Sequence, residues 1–246
     1  MLRRLILILA SAIVAGGLAS PAAAQRVALV IGNSDYKNVT ALKNPVNDAT
    51  DIGTALSRME FTVTTLTNGT AEEMRRAVAE FGEKAKGADI AVIFFAGHAV
   101  EADGLHWSIP IDGKVNSLEA ITSQSVSLDR LLATGSKLTI VLIDTARDNP
   151  FAKDSPQAPS TKPHAQPQVR DALIVYSTRS GSRPLDGEGR NSPFAAALLK
   201  HIETPGVDFS RLMNRVRDEV LAETNGKQTP FSYGSLPGGD VLLAPR

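Results

Sequence analysis

The chain has no cysteine in its 246 residues. That excludes disulfides, cysteine-ligated metal sites and any mechanism that needs a thiol. Aromatics are sparse, with one Trp, three Tyr and eight Phe, and they form no stripe. There is no run of basic residues either, so the footprint of a nucleic-acid binder is missing. Charge has no excess of either sign: 26 Lys and Arg face 26 Asp and Glu. Beyond the first 24 residues, no apolar stretch approaches the roughly 20 residues needed to span a bilayer.

What is present starts at the N-terminus. Arg3 and Arg4 precede an apolar stretch over residues 5–18, and Ala22-Ala23-Ala24 supplies small residues for cleavage. Residues 1–24 read as a secretory signal, with an uncleaved anchor as the alternative. Removing them from 246 residues leaves 222, starting at Gln25, with 24 basic against 26 acidic side chains. The expected location is periplasmic or secreted. A core of this size holds without disulfides, and 222 residues suit one large α/β domain.

Apolar runs alternate with helical patterns along the rest. Strands are expected at 26–31, 61–66, 90–95, 138–143, 172–176 and 241–243. Helices are expected at 47–59, from Thr70 to about 86 behind a Thr70/Glu73 capping box, at 127–132, 193–203 and 209–224. Residues 100–112 read as a hairpin turning at Asp103-Gly104. Residues 151–170 hold four prolines and little apolar content, which suits an exposed loop. The pattern predicts an α/β fold, a mostly parallel six-stranded sheet with helices on both faces.

Such sheets bind ligands beyond the carboxyl ends of their strands. Two buried strands end in chemistry-bearing tips, Ala96-Gly97-His98-Ala99 and Asp144-Thr145-Ala146. These motifs resemble those of the caspase and metacaspase superfamily, most closely the small bacterial orthocaspase-like members. The likeness continues through Leu42-Lys43-Asn44-Pro45, Asn47-Asp48-Ala49, Trp107-Ser108-Ile109-Pro110-Ile111-Asp112 and Arg147-Asp148-Asn149-Pro150-Phe151. It ends in Asp186-Gly187-Glu188-Gly189-Arg190-Asn191-Ser192-Pro193 and Gln228-Thr229-Pro230. The 48 residues from His98 to Ala146 match the caspase spacing of about 50 between histidine and cysteine.

The resemblance implies a caspase-like fold over 25–246. It divides into a large-subunit-like part at 25–150, the Pro-rich loop at 151–170 and a small-subunit-like part at 171–246. In the family a His-Cys dyad cleaves peptide bonds. His98 matches the histidine, and Ala146 stands at the nucleophile position, where alanine offers no lone pair. Ala99 replaces the glycine whose N–H serves the oxyanion, and a backbone needing φ > 0 would be strained there. Thr145 is a poor substitute nucleophile, since alternate residues of a strand face opposite ways. No Gly-x-Ser-x-Gly or His-Glu-x-x-His offers another hydrolase.

The resemblance also implies a pocket for arginine or lysine, lined by Asp48 and Asp144. From the residues alone, Asp48 equally suits a helix N-terminus, and Asp144 a strand-end hydrogen bond. Ser177, within Tyr176-Ser177-Thr178, is placed to meet an extended peptide by strand addition. The expected partner is a peptide or protein with basic residues, with no nucleic acid, no cofactor and no required metal. Arg147-Asp148-Asn149-Pro150 reads as a structural turn. Three roles stay open: a non-cleaving binder, a working cysteine endopeptidase whose cysteine has been replaced, and a scaffold that binds no peptide.

Overall fold

The structure is a computed structural model describing residues 24–146, 171–179, 185 and 187–245. The leader, the 147–150 turn and the Pro-rich loop lie outside the described residues. Among the described residues, eight strands and six helices follow one another. They are β1 (Arg26–Gly32), α1 (Pro45–Arg58), β2 (Thr62–Thr67), α2 (Ala71–Ala85), β3 (Ile90–Ala102), β4 (Leu105–Ser108), α3 (Leu118–Gln124) and β5 (Val126–Ser127). Then come α4 (Leu128–Leu132), β6 (Thr139–Ala146), β7 (Ala172–Tyr176), α5 (Pro193–His201), α6 (Phe209–Glu223) and β8 (Phe231–Gly234).

The main sheet runs β2-β1-β3-β6-β7-β8. It is parallel except for β8, which pairs antiparallel with β7. The inner strands are apolar on both faces because both faces are covered. Val30, Val92, Phe94, Ile140 and Leu142 pack with α1, α5 and α6. Leu29, Ile31, Ile93, Phe95, Val141 and Ile143 pack with α2 and α4. A fully buried side chain of this kind stabilises by roughly 1.5–3 kcal/mol relative to exposure.

Strand β3 outruns the sheet. Its first half pairs with β1 and β6, and residues 99–102 turn outward to pair with β4, which pairs with β5. The hairpin turns at Asp103-Gly104 as expected, both with positive φ (52° and 73°). That combination matches the twist of a two-residue hairpin. A small third core of Tyr36, Val100, Ala102, Ile109, Val115 and Ile121 fills this outwork.

Two expectations need correction. Residues 241–243 form no sheet strand, with only one bridge, Asp208 to Leu242. Their backbone serves the start of α6 instead: Phe209 N–H donates to Val241 O (2.8 Å), and Val241 N–H to Asp208 Oδ2 (3.0 Å). The buried Val241 and Leu243 mimic a strand pattern while packing on a helix. The edge position belongs to β8, which is too short and too exposed for periodicity to reveal. Helix α3 also went unread; Ser117 caps it by accepting from Ala120 N–H (3.1 Å).

Helix α1 is laid across the carboxyl end of β1 by a close approach. A Cβ on Gly32 would stand 2.1 Å from Pro45 O, so only glycine lets the backbones meet. Pro45 starts α1, and the buried stripe runs Pro45, Asp48, Ala49, Ile52, Gly53, Ala55, Leu56. Asp48 is the one charged member of that stripe. A carboxylate there points into the protein, over the ends of the strands.

Candidate functional site

The register of β3 and β6 places the two tips side by side. His98 is the direct partner of Ala146, and Ala96 that of Asp144. Neighbouring strands lie about 4.8 Å apart, so the backbones of His98 and Ala146 lie side by side. Thr145 continues the face of Val141 and Ile143, opposite to that of Asp144. Its hydroxyl is buried without a hydrogen-bond partner. The geometry agrees with its exclusion as a nucleophile.

His98 is 8 % exposed and its ring is oriented by the loop after β1. Ring Nε2 lies 2.9 Å from Thr40 O. A carbonyl only accepts, so Nε2 carries a proton and donates to it. The Tyr36 ring packs edge-on against the imidazole, centroids 4.6 Å apart. The Tyr36 hydroxyl takes over a rung of the β-ladder. It accepts from His98 N–H (2.7 Å) and donates to Ile109 O (3.2 Å), where a direct bond between the two would otherwise form. Burial pushes the Tyr36 hydroxyl well above its usual range, so it stays neutral and able to donate.

That inserted hydroxyl explains Gly97. The residue has φ of +153°, and a Cβ there would meet Tyr36 Oη at 2.5 Å. Gly97→Ala should therefore cost about 2–3 kcal/mol, through backbone strain and a displaced hydroxyl. A urea midpoint unchanged from wild type would refute this account. The expected strain at Ala99 is absent: Gly97, not Ala99, holds the positive φ. Ala99 pairs with Ser108, while Ile109 N–H donates to His98 O (3.0 Å). Hydrogen-bonded and non-bonded pairs alternate along such a ladder. The Ala99 N–H therefore points away from β4, to the side where β6 runs.

Asp48 and Asp144 come together from α1 and β6, only 1 % and 7 % exposed. Ser192 links them. Its N–H donates to Asp48 Oδ1 (3.1 Å) and its hydroxyl to Asp144 Oδ2 (2.5 Å). The same hydroxyl caps α5 by accepting from Ala195 N–H (3.0 Å). Burial, then the charge of Asp144, pushes the Asp48 carboxyl up to about 7, against opposing hydrogen bonds from Asn191 and Ser192.

The segment that delivers Ser192 is strapped to α1. Lys43 donates to Glu188 O (2.9 Å) and Asn47 to Arg190 O (3.1 Å). Arg190 makes a two-pronged pair with Asp51 (2.8 and 3.0 Å), and Asn191 donates to the same carboxylate (3.0 Å). The motif containing these residues was visible in the sequence, but its bridging role was not.

Ser177 lies past the end of β7, buried on the face of Leu173 and Val175. Its N–H donates to Ile143 O (2.9 Å), and its carbonyl accepts from Gln228 Nε2 (3.0 Å). Strand addition through Ser177 itself is thus not available; what it offers is a buried hydroxyl with no hydrogen-bond partner. Gln228, fully buried, also accepts from Leu185 N–H (3.1 Å) and so holds this rim together. Among the described residues, no group of three or more His, Asp or Glu is arranged to hold a metal.

Comparison with known proteins decides the family. The model of the caspase domain matches residues 25–238. The chain belongs to the caspase domain family. Human mucosa-associated lymphoid tissue lymphoma translocation protein 1 is 35% identical over 234 residues, covering 92% of this chain but 27% of that protein. The mouse homolog is 34% identical over 92 residues, 37% of this chain and 11% of that protein. This caspase-domain chain thus spans about a quarter of the human relative's length. The crystal structure of caspase-1 from Spodoptera frugiperda superposes with a TM-score of 0.66, covering 91% of both chains at 16% identity. That likeness speaks for the fold: a mostly parallel sheet between helices, as expected from the sequence.

Proposed function

We propose that this caspase-family chain is an exported, non-cleaving receptor for extended peptide or protein segments. A basic side chain seats between Asp48 and Asp144, and the peptide bond stays intact because Ala146 offers no nucleophile. The observation that carries the reading is the pair of buried carboxylates beside His98, held by one serine. Two anions at such a site form a receptor for one cation. A guanidinium close to a carboxylate gains about 4 kcal/mol at intermediate dielectric, before desolvation is subtracted. The planar fork of arginine suits paired carboxylates better than the point charge of lysine.

One observation favours a second reading, a cysteine endopeptidase whose nucleophile has been replaced. The His98 ring is still anchored through Nε2 to Thr40 O, on the strand beside Ala146. Both readings share the basic pocket.

The test is fluorescence anisotropy with matched peptides carrying arginine, citrulline or glutamate at one position. Citrulline keeps the shape of arginine and loses the charge. The arginine peptide should bind at least 30-fold more tightly than the citrulline one, and Asp144→Asn should cost at least tenfold. Equal binding of arginine and citrulline peptides would rule out the carboxylate pair as receptor and leave the scaffold role.

A further inference from the structure

We propose that two copies of this chain associate through the open edge of β2, pairing antiparallel about a two-fold axis at Thr65 so that one sheet continues into the next. The inference stands apart from the binding reading above.

Strand β2 ends the sheet, with β1 on one side and no strand of the described residues on the other. The residues that face outward follow from one bond. Asn68 N–H donates to Gly32 O (2.9 Å), continuing the parallel ladder of β1 and β2. Backbone groups of successive strand residues turn to opposite sides, so the even-numbered residues serve β1. Val63, Thr65 and Thr67 then present N–H and C=O to the open edge, where Thr65 and Thr67 are exposed. Sheets usually blunt such an edge with a charge, a proline or a bulge. Residues 61–69 carry no charge and no proline, and the register with β1 runs without a bulge.

Symmetry identifies the occupant. A two-fold axis between antiparallel copies of one strand sets a residue opposite itself, and that residue must face outward. Centred on Thr65, every outward residue finds an outward partner: Thr65 opposite Thr65, and Val63 opposite Thr67 on either side of the axis. Each of these pairs exchanges two N–H···O bonds. The side-chain pairs, Thr with Thr and Val with Thr, suit a sheet. No like charges meet when this strand pairs with itself, since residues 61–69 are uncharged. The opposite edge, β8, is only four residues long and ends in Gly234 with φ of +115°.

Helix α1 lies over this edge without closing it. A Cβ on Gly53 would stand 2.8 Å from Thr65 Oγ1. Thr50 and Ser57, three residues before and four after Gly53, share its flank of the helix, and Thr54 adjoins them. All three are exposed, and their hydroxyls bond back into α1: Thr50 to Val46 O (2.7 Å), Thr54 to Thr50 O (2.8 Å) and Ser57 to Gly53 O (2.9 Å). This flank brings neither charge nor an unmet hydroxyl donor toward the second copy. The charged residues of α1 lean the other way, Asp51 to Arg190 (2.8 Å) and Arg58 to Glu203 (2.8 Å). The two-fold axis stands perpendicular to the sheet, so the carboxyl ends of the strands point in opposite directions in the two copies. The dimer therefore carries two separate candidate sites rather than one shared cleft.

The experiment is sedimentation equilibrium of the mature chain at about 100 μM, where even a weak interface is populated. The expected result is a dimer. Thr65→Pro should weaken it at least about tenfold while keeping the fold, because the lost N–H faces the open edge and not β1. Thr65→Lys sets two like charges against each other at the axis and should weaken it as much. The chain has no cysteine, so single-cysteine variants report the register under mild oxidation. Thr65 lies about 5.5 Å from its symmetry mate, within reach of a disulfide, and Thr65→Cys should cross-link. Thr67 lies more than about 13 Å from its own mate, and Thr67→Cys should not. A monomeric wild type, a dimer untouched by both Thr65→Pro and Thr65→Lys, or cross-linking of Thr67→Cys as ready as that of Thr65→Cys would each overturn the inference.

Discussion

Ala146→Cys should create a peptidase that cuts after arginine or lysine, where the chain with Ala146 is expected not to cleave. The expected gain is on the order of 10⁴- to 10⁶-fold over the background rate, since removing a nucleophile elsewhere costs about that much. The prediction rests on the proposed site. His98 stands beside position 146 and is anchored through Nε2 to Thr40 O. The Ala99 N–H lies on the side of β3 facing β6, at a relaxed backbone. Asp144 of the proposed pocket lies two residues upstream on the same face. Fluorogenic peptides with arginine or lysine before the reporter measure the gain, and His98→Ala in the cysteine background should erase it. Tight binding without turnover in Ala146→Cys would place the defect in the oxyanion donor. Neither binding nor turnover would sink the pocket itself.

The second large effect is on stability, and it runs against the usual direction of mutation. Asp48→Asn should stabilise the ligand-free chain at pH 8 by about 2–4 kcal/mol and change little below about pH 4. Burial and the charge of Asp144 hold the folded-state carboxyl near 7, far above an exposed aspartate. The folded state therefore binds the proton more strongly than the unfolded one. The stabilisation this supplies is complete below about pH 4 and is lost as pH rises through 7, where the buried group must ionise. Asparagine is neutral throughout. It keeps an acceptor for Ser192 N–H and brings a donor toward Asp144. For a domain of this size the gain corresponds to roughly 5–12 °C in Tm at pH 8. Equal Tm values for wild type and variant at pH 8 would show that burial of this charge is not costly. The pocket is then a place where binding capacity is kept at the expense of stability.

Much of this site was legible through the family's motifs. Asp48 and Asp144 were marked by the resemblance; from the residues alone, Asp48 suited a helix N-terminus and Asp144 a strand-end hydrogen bond. His98 and Ala146 were paired by a motif, and the register of β3 and β6 brings them together. The parts that escaped notice belong to backbone groups and tertiary reach. Thr40 acts through its carbonyl, which every residue has. Tyr36 acts through a hydroxyl inserted in someone else's ladder. Ser192 stood in a motif with no role assigned; it caps α5, and its hydroxyl also crosses to Asp144. The false strand at 241–243 failed for a related reason: alternating burial reports contact with a core, not pairing with a sheet.

The rung surrendered to Tyr36 has a mechanical meaning. The amide of His98 answers to Tyr36 and its ring to Thr40, four residues further along one loop. The neighbouring strand of the outwork has no direct grip on that amide. The loop in turn is braced by Leu42 N–H on Ser34 O (3.0 Å) and Lys37 N–H on Ile111 O (2.8 Å). Residues 36–42 thus hold the backbone amide and the imidazole of His98 from a single loop, so the placement of that loop sets the placement of the ring.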